Sequence, residues 1–240
     1  MHDMTDRIQE PVVVLTGAGI SAESGVPVFR GEEGLWRDYR PEDLATVDAF
    51  QRNPELVWEW YNWRRELIAG CSPNAAHETL VRMEETASAF TLVTQNVDGL
   101  HQAAGSKRVL EVHGNIWRMR CTVCDYLTED HRAPLPDLPP YCPECGNLLR
   151  PDVVRFGESL AGDVLDAAWA AAARCRTMLV VGTSAVVHPA ASLPLVALRN
   201  QARLVEINPA ETPLSRHAHE LVRAPATEAL PDWWRARRPA

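Results

Sequence analysis

Pro11-Val12-Val13-Val14-Leu15-Thr16-Gly17-Ala18-Gly19 decides the fold. A β-branched, apolar run that stops abruptly at glycines reads as a strand buried on both faces, as in a parallel sheet, entering a glycine turn. Phe90-Thr91-Leu92-Val93-Thr94 before Gln95-Asn96 repeats the pattern, as does Thr177-Met178-Leu179-Val180-Val181 before Gly182-Thr183-Ser184. A fourth strand, Ala202-Arg203-Leu204-Val205-Glu206-Ile207, ends at Asn208-Pro209. Small or polar residues follow every one of them. This suits an open α/β sheet whose strand C-termini line one crevice. Helical spacing fills the intervals, over Pro54 to Ala69, His77 to Ala87 and Val164 to Arg174. From about Arg118 to Arg150, cysteines, prolines and turn residues replace the alternation, which predicts a small module inserted before the sheet resumes.

The 240 residues, 46% of them hydrophobic, are enough for a substantial core. No run approaches the ~18 consecutive apolar residues of a membrane span. The first ten residues, MHDMTDRIQE, carry neither a basic region nor an apolar one. A cytosolic protein with no membrane partner is expected. A net charge of -8 argues against general affinity for nucleic acid, because phosphate binding needs clustered Lys and Arg.

Four of the six cysteines form Cys121-x2-Cys124 and Cys142-x2-Cys145, seventeen residues apart. That spacing fits a four-thiolate zinc site, with Gly146 allowing the sharp turn after the second pair. Four thiolates leave no open position for water, so the predicted role of the metal is structural. Two disulfides are the alternative, and a cytosolic chain disfavours them. Asp125, Glu129, Asp130 and Asp137 make the module too acidic for a nucleic-acid-binding ribbon. Cys71 and Cys175 read as ordinary buried thiols.

Gly17-Ala18-Gly19-Ile20-Ser21, between a strand and an expected helix, is a setting in which backbone N–H groups receive a pyrophosphate. The full Gly-x-Gly-x-x-Gly fingerprint is absent, since residue 22 is Ala and the next glycine is Gly25. A tight turn without a ligand fits these residues equally well. More of the chain bears on the choice. The string GAGISAESGVPVFRG, from Gly17 to Gly31, closely resembles the first signature of the sirtuins. Gln95-Asn96-Val97-Asp98 followed by His101 resembles the second, and Glu111-Val112-His113-Gly114 the third. Pro151 to Glu158, Gly182-Thr183-Ser184 and Asn208-Pro209 complete the order, so that the resemblance covers the chain from about Val12 to Pro231.

The resemblance implies a Rossmann-like doubly wound parallel sheet, at about 10–35, 88–117 and 151–230, with a helical insertion at about 36–87 and a zinc module at about 118–150. It implies NAD-dependent lysine deacylation, with NAD and an acyl-lysine protein or peptide meeting in the cleft. In that family the acyl oxygen attacks C1′ of the nicotinamide ribose, nicotinamide leaves, and a histidine acts as base toward a ribose hydroxyl. His113 matches the base. Asn96 would orient a water or ribose group, Gln95 would bond the ribose, and Val97 and Asp98 would hold the nicotinamide carboxamide. Asp98 fits a helix cap equally well. Gly17, Ala18, Gly19 and Ser21 belong to the nucleotide turn, and Phe29 and Arg30 would close over the ribose. Gly182, Thr183, Ser184 and Asn208 would contact phosphate and adenosine. Val153, Val154, Phe156 and Gly157 lie in an extended edge for the substrate peptide. Val28 departs from the Asp or Thr that many members carry there, which removes any side-chain bond to nicotinamide from that position.

Tyr61 and Arg64, three apart on a helix, share a face. A phenol beside a guanidinium suits a carboxylate, though from spacing alone a solvated charge beside a half-buried Tyr explains the pair better. Tyr-x-x-Arg is also what the desuccinylase and demalonylase branch of the sirtuins carries here, with Ala45 resembling the small residue that widens its pocket. The resemblance therefore implies acidic acyl groups. Arg65 falls off that face and is expected in solvent. Protein mono-ADP-ribosyl transfer is the alternative within enzymes; hydride transfer and a non-catalytic zinc ribbon are more distant readings.

Overall fold

The computed structural model describes residues 8–28 and 41–237. In chain order the elements are β1 (Val12–Thr16), α1 (Pro41–Leu44), α2 (Val47–Arg52), α3 (Pro54–Ala69), α4 (Ala75–Thr86), β2 (Phe90–Thr94), α5 (Leu100–Ala104) and β3 (Val109–Glu111). There follow β4 (Gly114–Cys121), β5 (Leu127–Glu129), β6 (Leu149–Val153), α6 (Gly162–Arg174), β7 (Thr177–Val181), α7 (Leu193–Arg199), β8 (Arg203–Ile207), β9 (Glu220–Val222) and α8 (Ala226–Arg237).

Six parallel strands form the main sheet in the order β3-β2-β1-β7-β8-β9. All five residues of β1 are buried, because both faces of the sheet are covered. Val12 and Val14 pack with Leu80 and Met83 of α4 and Leu230 and Trp233 of α8. Val13 and Leu15 face the other way, onto Ala168 and Ala172 of α6 and Leu193 and Ala197 of α7. This is the doubly wound arrangement expected, and its strand order reverses between β1 and β7. A crevice opens at such a point beyond the strand C-termini.

A second core joins α1, α2 and α3 to a three-stranded antiparallel sheet, β5-β4-β6. Helix α3 starts where its sequence directs: Asn53 accepts a bond from Leu56 N at 3.1 Å, and Pro54 occupies a first-turn position that needs no N–H donor. Trp58 of α3 donates from Nε1 to Leu149 O at 2.9 Å. Arg65 is not in solvent. Its side chain is fully buried, donating to the carbonyls of Ile116 (2.9 Å), Asp130 and Arg132 (3.1 Å) with its guanidinium over the Trp117 ring. The helix is wrapped on more than one side, so a position off the cleft face meets the small sheet.

Three further features differ from expectation. Residues 18–24 form two short 3₁₀ turns and no α-helix follows them within residues 17–28. Gly19 N is tied to Gly182 O at 2.7 Å, and Gly25, at φ 93°, ends the second turn in the left-handed region. Strands β3 and β9 have three residues each, too few for a period-2 pattern to register. Cys175 is buried, but Cys71 is only half-buried. At the C-terminus, Trp233 and Trp234 are core residues of α8. Among the described residues no helix is long and apolar enough to cross a membrane.

Candidate active site and metal centre

Beyond the C-termini of β1, β2, β7 and β8 lies a cleft of about 610 Å³, within the ordinary range for small-molecule sites. Gly17, Ala18 and Gly19 line it on one side of the switch point and Gly182, Thr183 and Ser184 on the other. The two turns interlock. A Cβ on Gly17 would lie 2.6 Å from Thr183 Cβ, and one on Gly182, where φ is 60°, would lie 2.5 Å from Ile20 N. Glycine is therefore required for the two backbones to meet and form one floor. Gln95 reinforces it, donating from Nε2 to Thr183 Oγ1 at 2.9 Å, while Asn208 Nδ2 reaches Thr183 O at 2.9 Å.

Asn96, Val97 and His113 line the same cleft, with Val28 and Ala45. His113 Nδ1 lies 3.0 Å from Gln95 O. A carbonyl only accepts, so Nδ1 carries the proton and Nε2 keeps its lone pair. Burial holds the imidazole pKa below its ordinary 6.5, partly offset by that carbonyl. His113 is thus a neutral base at neutral pH.

Behind this surface is a buried polar layer. Asn96 Nδ2 donates to Ser21 Oγ at 3.1 Å, and Ser21 Oγ is 3.4 Å from His77 Nε2. Thr16 Oγ1 donates to Thr94 Oγ1 at 2.8 Å and also contacts His101 Nε2 at 2.9 Å. Burial pushes His77 down to about 4 and His101, beside it, down to about 3. Ser21 and Asp98 therefore sit behind the cleft wall instead of lining it. Asp98 accepts from Leu100 N at 2.9 Å in a local turn before α5, whose N-cap is Gly99 and carries no side-chain cap bond, and burial pushes its carboxyl up against the pull of Leu100 N–H, Ser21 and Arg64. Phe29 and Arg30 lie outside the described residues.

Tyr61 and Arg64 are brought together with Asn96 and His113 in one cleft, and are 2% and 5% exposed. The guanidinium stacks over Trp60 at 5.0 Å and lies 5.9 Å from the Tyr61 ring. Trp60 and Tyr61 themselves meet edge-on at 4.8 Å. Desolvation lowers the Arg64 pKa and raises that of Tyr61, each partly offset by the other. Trp60 is a site residue that the sequence alone does not single out. An aromatic four positions before Arg64 on the same helix is the available signal.

Val153, Val154, Phe156 and Gly157 also line the cleft. Val154 N donates to His113 O at 2.9 Å and Phe156 N to Ala45 O at 2.8 Å. These bonds fix the path of the extended segment along the cleft, and the Phe156 ring stays 48% exposed. The wall at Ala210, Glu211, Thr212 and Pro213 is not foreseen by the sequence, since a short irregular loop carries no periodicity.

In the small sheet region, the Sγ atoms of Cys121, Cys124, Cys142 and Cys145 all lie within 4.8 Å of one another. The pairs Cys121–Cys145 and Cys124–Cys142 stand at 3.4 and 3.6 Å. A tetrahedral zinc with ~2.3 Å Zn–S bonds needs sulfur–sulfur edges of ~3.8 Å, so the set fits that ion and is too wide for disulfides. Val123 N and Cys124 N donate to Cys121 Sγ, and Gly146, at φ 73°, closes the second knuckle. Asn147 Nδ2 donates to Cys145 Sγ at 3.4 Å, a bond that favours the thiolate form a metal ligand requires. Changing any one of the four to Ser is expected to take bound zinc toward zero and lower the melting temperature, because structural zinc supplies folding free energy. Metal analysis and thermal melting check this, and stoichiometric zinc with unchanged melting would show the centre is misread.

The Sir2 family profile matches residues 17–189. An NAD-dependent protein deacylase of Aquifex aeolicus (strain VF5) is 56% identical over 207 residues, covering 86% of this chain and 87% of its own. NAD-dependent protein deacylase 1 of Caldanaerobacter subterraneus subsp. tengcongensis is 54% identical over 216 residues, covering 90% and 89%. Among solved structures, a Sir2 homolog-NAD complex shares 48% identity with a TM-score of 0.89, covering 93% of this chain and 88% of that one. A Sir2-p53 peptide-NAD⁺ complex shares 34% identity with a TM-score of 0.82, covering 93% and 92%. With most of its length matched in both sequence and fold, the chain belongs to the Sir2 family.

Proposed function

We propose that this protein removes acyl groups from lysine side chains of proteins at the expense of NAD, and that its pocket selects acyl groups ending in a carboxylate. The deacylase activity follows from family membership and from relatives that carry that name. The observation carrying the finer reading is the burial of Tyr61 and Arg64 in the same cleft as His113.

NAD supplies the ribosyl carbon to which the acyl oxygen adds as nicotinamide departs. The interlocked turns at Gly17–Gly19 and Gly182–Ser184 are placed to hold its phosphates, with Asn208 and Ser184 beside them. His113, its Nδ1 committed to Gln95 O, takes a ribose hydroxyl proton at Nε2. Asn96, locked by Ser21, presents its remaining polar atoms to the ribose. The acyl-lysine peptide runs along Val153 to Gly157, giving main-chain recognition with limited sequence selectivity. Its acyl chain passes Ala45 and ends at Tyr61 and Arg64, where a carboxylate finds a phenol and a guanidinium. Four thiolates hold one zinc away from the cleft residues, in a structural role.

Product analysis tests the reading: free lysine with O-acyl-ADP-ribose is expected, and labelled protein without deacylated lysine would favour ADP-ribosyl transfer instead. The acid side of the pH profile is a separate expectation. Because the His113 pKa is depressed, its neutral, active form persists to lower pH than for a free imidazole. As pH falls, kcat/KM should decline with a midpoint below 6.5, the ordinary histidine value. A midpoint above 6.5 would contradict this environment for His113.

A further inference from the structure

Glu206 occupies a position on β8 where the fold calls for an apolar side chain. It pairs in register with Val180 and Leu221, it follows by two the core residue Leu204, and it is 0% exposed. A buried carboxylate is costly unless donors surround it. Here they come from the segment between β8 and β9, through Thr212 and Ser215, and from Arg223 just beyond β9. Ser215 Oγ donates to Oε2 at 2.6 Å, Arg223 Nη1 donates to the same oxygen at 3.0 Å, and Thr212 Oγ1 donates to Oε1. Those donors bond one another as well. Arg223 Nη2 reaches Ser215 Oγ at 2.8 Å and Thr212 N reaches the same hydroxyl at 2.9 Å. Arg223 Nη1 also donates to Asn208 O at 3.2 Å and Ala210 O at 3.3 Å.

The segment so tied is the irregular wall of the cleft, lined by Asn208, Ala210, Glu211, Thr212 and Pro213. It has no helix or strand of its own from Asn208 to Leu214. Its shape therefore depends on the bonds that reach it from beneath. We infer that Glu206 is a positioning residue for NAD: its carboxylate, through Thr212, Ser215 and Arg223, holds the Asn208–Pro213 wall in the shape that binds the nucleotide. Glu206 touches no ligand itself. The inference rests on the cleft taking NAD, which ADP-ribose binding to the wild-type protein tests separately.

The test uses two variants of the zinc-loaded full chain. Glu206→Gln keeps the volume but removes the charge and turns a donor toward three donors. Ser215→Ala removes the hydroxyl shared by Thr212, Arg223 and Glu206 and leaves the Glu206–Arg223 pair in place. Glu206→Gln should raise the ADP-ribose Kd and the NAD KM about ten- to a hundredfold, and Ser215→Ala roughly three- to tenfold. In both, kcat at saturating NAD and the KM for acyl peptide should stay within about threefold, because the His113 side of the cleft is untouched. A folded variant with wild-type ADP-ribose affinity, or one whose peptide KM rises in step with that for NAD, would overturn the inference. Should Glu206→Gln fail to fold, Ser215→Ala decides alone: a raised ADP-ribose Kd with an unchanged peptide KM supports the positioning role, and an unchanged Kd overturns it.

Discussion

His113→Ala is expected to lower deacylation about 10²–10⁴-fold while ADP-ribose binding changes only a few-fold, since general-base catalysis contributes about that much in rate. The reasoning is local. Nδ1 donates to Gln95 O, so the ring is oriented and its Nε2 is the atom left for proton transfer. Truncation leaves one carbonyl without that donor, at a position lining a cleft that water can enter. The fold should therefore survive. Steady-state kinetics with calorimetric titration of ADP-ribose checks it, and retained full turnover would refute the assignment of the base.

Arg64→Met carries the second large expectation. An acetyl group brings no charge into the tunnel and needs neither Arg64 nor Tyr61. A succinyl or malonyl group brings a carboxylate that must be paired to be desolvated. Hydrogen bonds to a charged group contribute about 1.5–3 kcal/mol each, so losing one should cost roughly ten- to two-hundredfold in kcat/KM. Arg64→Met keeps much of the stem volume but removes the guanidinium that stacks over Trp60, and should depress desuccinylation by that factor, with Tyr61→Phe doing so less. Deacetylation should move only a few-fold, because His113 and the nucleotide turns are unaltered. Parallel loss of both activities would mean that the pair supports the fold and does not read the acyl group.

What is legible in the chain is whatever local chemistry dictates without reference to distant partners. The bounds of α3 can be read from Pro54 to Ala69 because Asn53 and Pro54 are start signals in their own right. β1 stands out because both of its faces are covered and no polar residue interrupts Val12 to Leu15. The zinc ligands are legible because each pair closes its own knuckle. Other features depend on residues brought from elsewhere. Arg65 looks like a solvated charge, and its burial comes from carbonyls of Ile116, Asp130 and Arg132, more than fifty positions away. The turn at Gly19 reads as leading into a helix, but the bond from Gly19 to Gly182 O favours 3₁₀ geometry. Glu206 passes as one residue of a strand, although a carboxylate on a buried face is a signal that can be followed. Tyr61 and Arg64 lie between these cases: helical spacing places them on one face, but only the assembled fold brings that face into a cleft that His113 also lines.

The central claim is NAD-dependent removal of acidic acyl groups from lysine, and its most direct test is a panel of acetyl-, malonyl-, succinyl- and glutaryl-lysine peptides of one sequence, assayed with NAD. The two readouts are free lysine peptide and O-acyl-ADP-ribose. Arg64 and Tyr61 predict a higher kcat/KM for at least one of the three acidic groups than for acetyl, by about ten-fold or more, with one O-acyl-ADP-ribose formed per lysine released. A panel in which acetyl-lysine is preferred over all three acidic groups, or in which no acyl group is removed in the presence of NAD, would contradict it.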